Sequence, residues 1–216
     1  MKEIEKLTDR ELVKLALDRG AFTPCYETHS IFLKEDELGK LNNLYMLGNR
    51  KKHRDYLGDL TAHLKDARAV DLGAGSSVQE HERILREFFH VAEYHGVDLV
   101  LDKRGNVQSD ALLFLGGRQV NSSICMAFGL LNEPIFGTAF GAGGPELTEI
   151  RYEYAKRLAR QIYRVTSHSG IFFGAGIDKK MGTYLEESGF ENCRREKMSD
   201  DSKDIWFMFP FMFRKT

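Results

Sequence analysis

Ala69-Val-Asp-Leu-Gly-Ala-Gly-Ser-Ser77 decides the fold. A short apolar run carries an acid, Asp71, and gives way to a glycine turn, Gly73-Ala-Gly75, then to two serines that can open a helix. The stretch reads as a strand, a tight loop and a helix start. Glycine lets the backbone take positive φ and lets a ligand approach the main chain closely. Ser77-Val-Gln-Glu80 has the spacing of a capping box, in which serine and glutamate satisfy each other's backbone N–H. A helix start also leaves free N–H groups aimed at whatever lies over the loop.

Outward from this stretch, strands and helices alternate. Ala67–Leu72 reads as a strand, residues 77–89 as a helix with Ile84, Leu85 and Phe88 on one side, and Val91–Val97 as a second strand ending at Asp98. Asp110-Ala-Leu-Leu-Phe-Leu115 reads as a third strand, and Val120, Ile124, Ala127, Phe128 and Leu131 mark a helix. A Gly/Pro-rich loop over 132–146 leads into a long helix with Ile150, Tyr154, Leu158, Ile162 and Val165 inward. Gly170–Ala175 is a further strand, and Met181, Tyr184 and Leu185 mark a short helix stopped by Gly189. Residues 191–197 and 204–213 close the chain as two strands, with Pro210 predicting a bulge in the second. Such alternation predicts a three-layer α/β sandwich with a mostly parallel central sheet, whose ligands bind at the C-terminal ends of strands.

Upstream the pattern is helical. Thr8-Asp-Arg-Glu11 is a second capping-box match and opens a helix over 8–19, with Leu12, Leu15 and Ala16 on its apolar face and Gly20 at its end. Phe22-Thr-Pro-Cys-Tyr26 is a loop with two aromatics, and residues 36–47 and 53–65 carry helical spacing. The chain therefore divides into a helical N-terminal extension or cap, 1–66, and an α/β domain, 67–216. Asn49-Arg-Lys-Lys-His-Arg54 could contact an anion or nucleic acid, but reads better as a solvated helix start, since no matching basic surface accompanies it.

Composition narrows the function. The 216 residues are 42% hydrophobic and 29% charged, with a formal net charge of −1, so no global field favours nucleic acid or an anionic membrane. No run approaches the roughly 18 apolar residues of a membrane span. Met1-Lys-Glu-Ile-Glu-Lys6 is charged where a secretory leader would be apolar. The three cysteines, Cys25, Cys125 and Cys193, form no C-x-x-C pair, which disfavours a disulfide framework or a zinc site and fits a reducing, cytoplasmic setting.

Gly73-x-Gly75 is half of the dinucleotide fingerprint, but its third glycine position holds Val78, which argues against NAD. Asp98, at the end of the next strand, can accept hydrogen bonds from two ribose hydroxyls. A glycine loop with that acid suits a nucleoside ligand lacking a pyrophosphate. On these residues the chain resembles the class I S-adenosylmethionine-dependent methyltransferases, a Rossmann-like family. Val70-Asp-Leu-Gly-Ala-Gly75 is similar to the first family motif and Gly96-Val-Asp98 to the second. Asp110–Leu115 resembles the fourth strand, Tyr184-Leu-Glu-Glu-Ser-Gly-Phe190 a late helix-to-strand junction, and Trp206–Lys215 the last strand. The resemblance covers residues 67–215.

It implies S-adenosylmethionine as cofactor, held by Asp71, Gly73, Ala74, Gly75, Asp98 and Leu99. Gly73 and Gly75 would line the methionine part, Asp71 would fix the loop, Asp98 would bind the ribose, and Leu99 would pack near the adenine. With 110–115 as the fourth strand, only Leu99–Ser109 remains for the helix and third strand that the family places there, which is too short for both. That shortening is the feature favouring the rival reading, a non-catalytic Rossmann-like protein that binds a nucleoside ligand or a partner.

No catalytic residue is assigned. The methyl acceptor, small molecule or macromolecule, is open. His95 reads as packed, and His168 precedes a strand, at the wrong end for a site. Neither a nucleophile elbow nor a metal-ligand cluster appears.

Overall fold

The computed structural model describes residues 4–21, 58, 61, 63–75, 78–87, 89–99, 107–118, 122–131, 145–177, 179–193 and 210–216. Strands β1 (Arg68–Leu72), β2 (Glu93–Asp98), β3 (Val107–Gln108), β4 (Ser122–Leu131), β5 (Thr166–Ile177), β6 (Phe190–Asn192) and β7 (Pro210–Lys215) form one sheet in the order β3-β2-β1-β4-β5-β7-β6. The pairs among β1 to β5 are parallel, and β7 runs antiparallel between β5 and β6. The order reverses at β1, whose neighbours are β2 and β4. This is the doubly wound Rossmann-like α/β sheet that the strand–helix alternation predicts.

Each strand feeds both faces by simple alternation. Val70, Leu72, Cys125, Ala127, Phe172, Phe211 and Phe213 pack on one side with α1 (Asp9–Asp18), α3 (Ala111–Gly116), α4 (Pro145–Val165) and α5 (Lys179–Glu187). Ala69, Ile124, Met126, Ile171, Phe173 and Met212 pack on the other with Leu64 and α2 (Val78–Glu87). The long helix buries Ile150, Tyr154, Leu158, Ile162 and Val165, as its spacing predicts, and starts on a proline, which suits a first helical position.

Two elements are the reverse of the sequence expectation. Residues 110–115 are not a strand: Asp110 is the N-cap of α3, its carboxylate accepting from the Leu112 and Leu113 amides at 2.9 and 3.1 Å. A capping acid ahead of Ala-Leu-Leu-Phe-Leu, with no β-branched residue, favours the helix. Residues 120–131 are not a helix, because 122–131 form β4. Its run is apolar on both faces because β4 is flanked by β1 and β5 and covered on each side. The fourth strand is thus 122–131 rather than 110–115, and the third strand, β3, is present after all. Pro210 opens β7 opposite Ala175 without a register shift, a strand-initial place where its missing N–H is tolerated, so the bulge is not seen.

The N-terminal segment belongs to the same core. Thr8 and Glu11 make the expected capping box, and Leu12, Val13 and Ala16 are buried with α3 and α4. Arg157 of α4 gathers the chain ahead of α1, donating to the carbonyls of Leu7 (2.6 Å), Glu5 (3.0 Å) and Ile4 (3.4 Å) and to the Asp9 carboxylate (3.1 Å). Arg151 donates to the Ala21 carbonyl at 2.6 Å. The helices expected over 36–47 and 53–65, the 49–54 basic stretch, Phe22–Tyr26, the 132–144 loop and residues 194–209 of the closing strands lie outside the described residues, apart from helical backbone at 58, 61, 63 and 64.

Two outcomes follow from this packing. A Cβ at Gly174 would sit 1.8 Å from the Ala127 carbonyl oxygen across the β4–β5 pair. Gly174→Ala is therefore expected to cost about 3 kcal/mol or more in denaturant unfolding, and a parental midpoint would refute the close approach. Burial raises the Asp110 carboxyl above its ordinary value of 3.8, against the lowering effect of the Tyr154 hydroxyl and two amides. The folded state then holds that proton more tightly than the unfolded chain, so its contribution to stability is present at low pH and is lost as pH rises through the folded value. Asp110→Asn keeps the cap oxygen and is expected to flatten that decline; an unchanged pH slope of the unfolding midpoint would count against it.

Candidate functional site

The β1–β2 register sets Leu72 beside Val97, which brings the loop after β1 level with the end of β2. The loop is tied there by its own amides. Gly73 and Ala74 both donate to the Val97 carbonyl, at 2.8 and 3.2 Å, and the Gly75 amide donates to Asp98 Oδ2 at 3.0 Å. Gly73 and Gly75 have φ of 73° and 54°, the left-handed region that glycine enters without strain. The predicted residues Gly73, Ala74, Gly75 and Asp98 are therefore one cluster at the C-terminal rim, beside the point where the strand order reverses.

Asp98 is half-buried, with its carboxylate on the Gly75 amide. Leu99 follows it, half-buried against the α4 side of the sheet, with its carbonyl 3.4 Å from Gln108 Nε2. The Ser109 amide returns to the Asp98 carbonyl at 2.8 Å, which fixes β3 against the same rim. The Asp98 carboxylate, the glycine turn and Leu99 thus lie together at one edge of the sheet.

Asp71 is placed differently. Its carboxylate is fully buried on the α2 side, where Oδ2 is 2.7 Å from His81 Nδ1 and 2.7 Å from the Tyr94 hydroxyl. Oδ1 is buried without a hydrogen-bond partner among the described residues. Burial first, and then the Asp71 charge, raise the Tyr94 phenol well above its ordinary range, so it stays a donor. Asp71 thus ties β1 to β2 and to α2, the three elements from which the loop and Asp98 emerge. His81 was not singled out from the sequence, although 81, 84, 85 and 88 share one helix face, and a histidine on that apolar stripe was the available signal.

Val78, in place of the third fingerprint glycine, is the first residue of α2 and is 3% exposed. The fingerprint's glycine at that position serves close helix–strand packing beneath a pyrophosphate, and this chain lacks it. His95 is half-buried, and burial together with the Arg118 charge lowers its pKa, which keeps the ring neutral. His168 is exposed near the start of β5, at the opposite end of the sheet. Burial pushes the Cys125 thiol up to about 12, so it is unreactive. No group of metal-ligating side chains occurs among the described residues.

No protein-family model matches the chain, and no curated protein is similar to it. Among solved structures, it is similar to a SAM-dependent methyltransferase from Archaeoglobus fulgidus, at 15% identity over 80% of this chain and 94% of that one, with a TM-score of 0.45. It is also similar to the Burkholderia thailandensis 1,6-didemethyltoxoflavin-N1-methyltransferase, solved with 1,6-didemethyltoxoflavin and S-adenosylhomocysteine, at 13% identity over 90% and 95% of the two chains and a TM-score of 0.46. A third is the N-methyltransferase NodS of Bradyrhizobium japonicum, at 10% identity over 78% and 97% and a TM-score of 0.46. At that distance these likenesses carry no argument about chemistry, and the fold rests on the strand order and register of the chain itself.

Tyr94→Phe keeps the ring and removes one of the two donors to Asp71. It is expected to lower stability by about 1–3 kcal/mol, the cost of leaving a buried acceptor short of a partner. Chemical denaturation at neutral pH reads this directly, and a shift of under a few tenths would show that the hydroxyl is not needed.

Proposed function

We propose that the chain is an S-adenosylmethionine-dependent methyltransferase of the class I type. The observation that carries the reading is the Gly75 amide on the Asp98 carboxylate, which makes the glycine turn and the β2 acid one site at the rim. Asp98 would accept from the ribose hydroxyls, the Gly73–Gly75 main chain would follow the methionine part, and Leu99 would flank the adenine. The bound cofactor supplies an electrophilic methyl on a sulfonium. What remains for the protein is to position an acceptor in line and exclude water.

The acceptor is proposed to be selected by the N-terminal extension. The support is that Arg151, in the second turn of α4, holds the Ala21 carbonyl. Because α4 follows β4, its first turns lie at the same rim as the glycine loop. Residues 4–21 are too embedded to delete cleanly, so point substitution is the better probe. Phe22→Ala with Tyr26→Ala is expected to leave S-adenosylhomocysteine affinity intact and to lower transfer of labelled methyl to acceptors in extract; undiminished transfer would exclude the role.

A non-catalytic binder was favoured by a missing third strand, and β3 removes that support. A cytoplasmic setting is in keeping with the buried thiols of Cys125 and Cys193. No helix among the described residues is long and apolar enough to cross a membrane.

Calorimetric titration with S-adenosylmethionine, S-adenosylhomocysteine and NAD decides the cofactor. The first two are expected to bind and NAD is not. Asp98→Ala should weaken binding by about 1.5–3 kcal/mol, as for a lost bond to a charged acceptor. An unchanged dissociation constant in a folded variant would refute the assignment.

A further inference from the structure

We propose that His81 is a positioning residue for the glycine loop: acting through Asp71, it fixes the first turns of α2 against β1 and β2 and so keeps the Gly75 amide on Asp98. As a role in cofactor binding, this rests on the methyltransferase reading. As a statement about the loop, it stands without it.

The three loop amides are not held alike. Gly73 and Ala74 donate to a main-chain carbonyl, that of Val97, which belongs to the sheet. Gly75 donates to a side chain, Asp98, and lies nearer α2, which begins at Val78. The first two anchors survive any small shift of α2, whereas the third requires the helix to start in one place. That place is set by His81, whose imidazole is 2.7 Å from Asp71 Oδ2 and 2% exposed.

Apolar packing of Ile84 and Leu85 presses α2 on the sheet but is non-directional and permits sliding. The His81–Asp71 bond adds direction and register. Asp71 enters β1 two residues before Gly73, and Tyr94 lies on β2 four residues before Asp98. Asp71 and Tyr94 are thus each joined through their own strand to one anchor of the loop. Asp71 draws its hydrogen bonds from His81 and Tyr94 on a single oxygen, so loss of either donor is felt by a fully buried group.

The test uses the full chain. His81→Phe keeps a ring and loses the donor, while His81→Asn restores a donor close to the Nδ1 position. Amide hydrogen exchange by NMR reads the loop, and titration with S-adenosylhomocysteine reads the site. In His81→Phe the Gly75 amide is expected to exchange about tenfold faster, the equivalent of one lost hydrogen bond, with Gly73 and Ala74 unchanged. Affinity for S-adenosylhomocysteine should fall by a similar factor, and His81→Asn should restore both. Unchanged protection at Gly75, or a uniform loss over all three amides and the core that Asn fails to restore, would overturn the proposal.

If His81→Phe does not fold, Tyr94→Phe removes the other donor from the same oxygen. A selective loss at Gly75 there supports the coupling, and parental exchange refutes it. A parent protein that binds no S-adenosylhomocysteine refutes the cofactor reading alone, and the exchange data still decide the positioning.

Discussion

A carboxylate with no access to solvent has to be compensated where it stands, since an unpaired buried charge costs far more than a domain can spare. Asp71 is that group here. Its two donors come from different elements, His81 from α2 and Tyr94 from β2, so compensation is available only when β1, β2 and α2 are assembled in one register. The constraint therefore acts on the fold rather than on one contact. It also acts at a particular place, two residues before the turn that carries Gly73 and Gly75. The apolar layer around it, Ala69, Ile84, Leu85 and Met126, supplies attraction without preference for register.

The opposite face solves a related problem with long cations. The carbonyls of the first turn, Ile4–Lys6, and of Leu7 have few local partners, and Arg157 reaches them from α4 while Glu153 holds its Nε at 2.7 Å. Arg164 does the same for the end of α3, donating to the Leu115 carbonyl and, at 2.9 Å, to that of Arg118. Lys215 of β7 donates to the Tyr163 and Thr166 carbonyls at 2.7 and 2.8 Å, where α4 ends, with its ammonium 4.3 Å from the centre of the Tyr163 ring. The bonds to carbonyls join segments far apart in sequence and give helix-end groups a partner. This is why residues 4–21 share a core with the sheet, although no cofactor motif involves them.

What could be read from the sequence follows from how local the causes are. The β1–loop–α2 unit, the α1 capping box and the long α4 are fixed by neighbours in the chain, and all three are where their patterns place them. Residues 110–115 and 120–131 exchanged roles for a reason local pattern cannot supply. Ile124 and Ala127 fall at helical spacing only because a strand covered on both faces carries a continuous apolar run, and the intervening Cys125 and Met126 are as buried as they are. The apolar run of α3 has strand length, and the Asp110 cap was the signal that outweighed it. Of the candidate site, Gly73, Ala74, Gly75 and Asp98 were legible because their spacing encodes a loop and a strand end. The His81 contact was not, since it joins residues ten apart through tertiary packing.

The position of the candidate site is then a consequence of topology and of one side chain. Reversal of strand order at β1 puts the C-terminal ends of β1 and β2 at the place where doubly wound sheets take their ligands. The glycine turn lowers the backbone at that point, and the Asp98 carboxylate stands at its edge. Val78 occupies the third position of the dinucleotide fingerprint. The third glycine of that fingerprint allows close helix–strand packing, and here a buried valine stands in its place at the head of α2. The same valine is buried with Ala74 and Leu85, so the position that the dinucleotide fingerprint gives to glycine is here a core residue. A substitution at Val78 would therefore act on the glycine loop through its packing with Ala74.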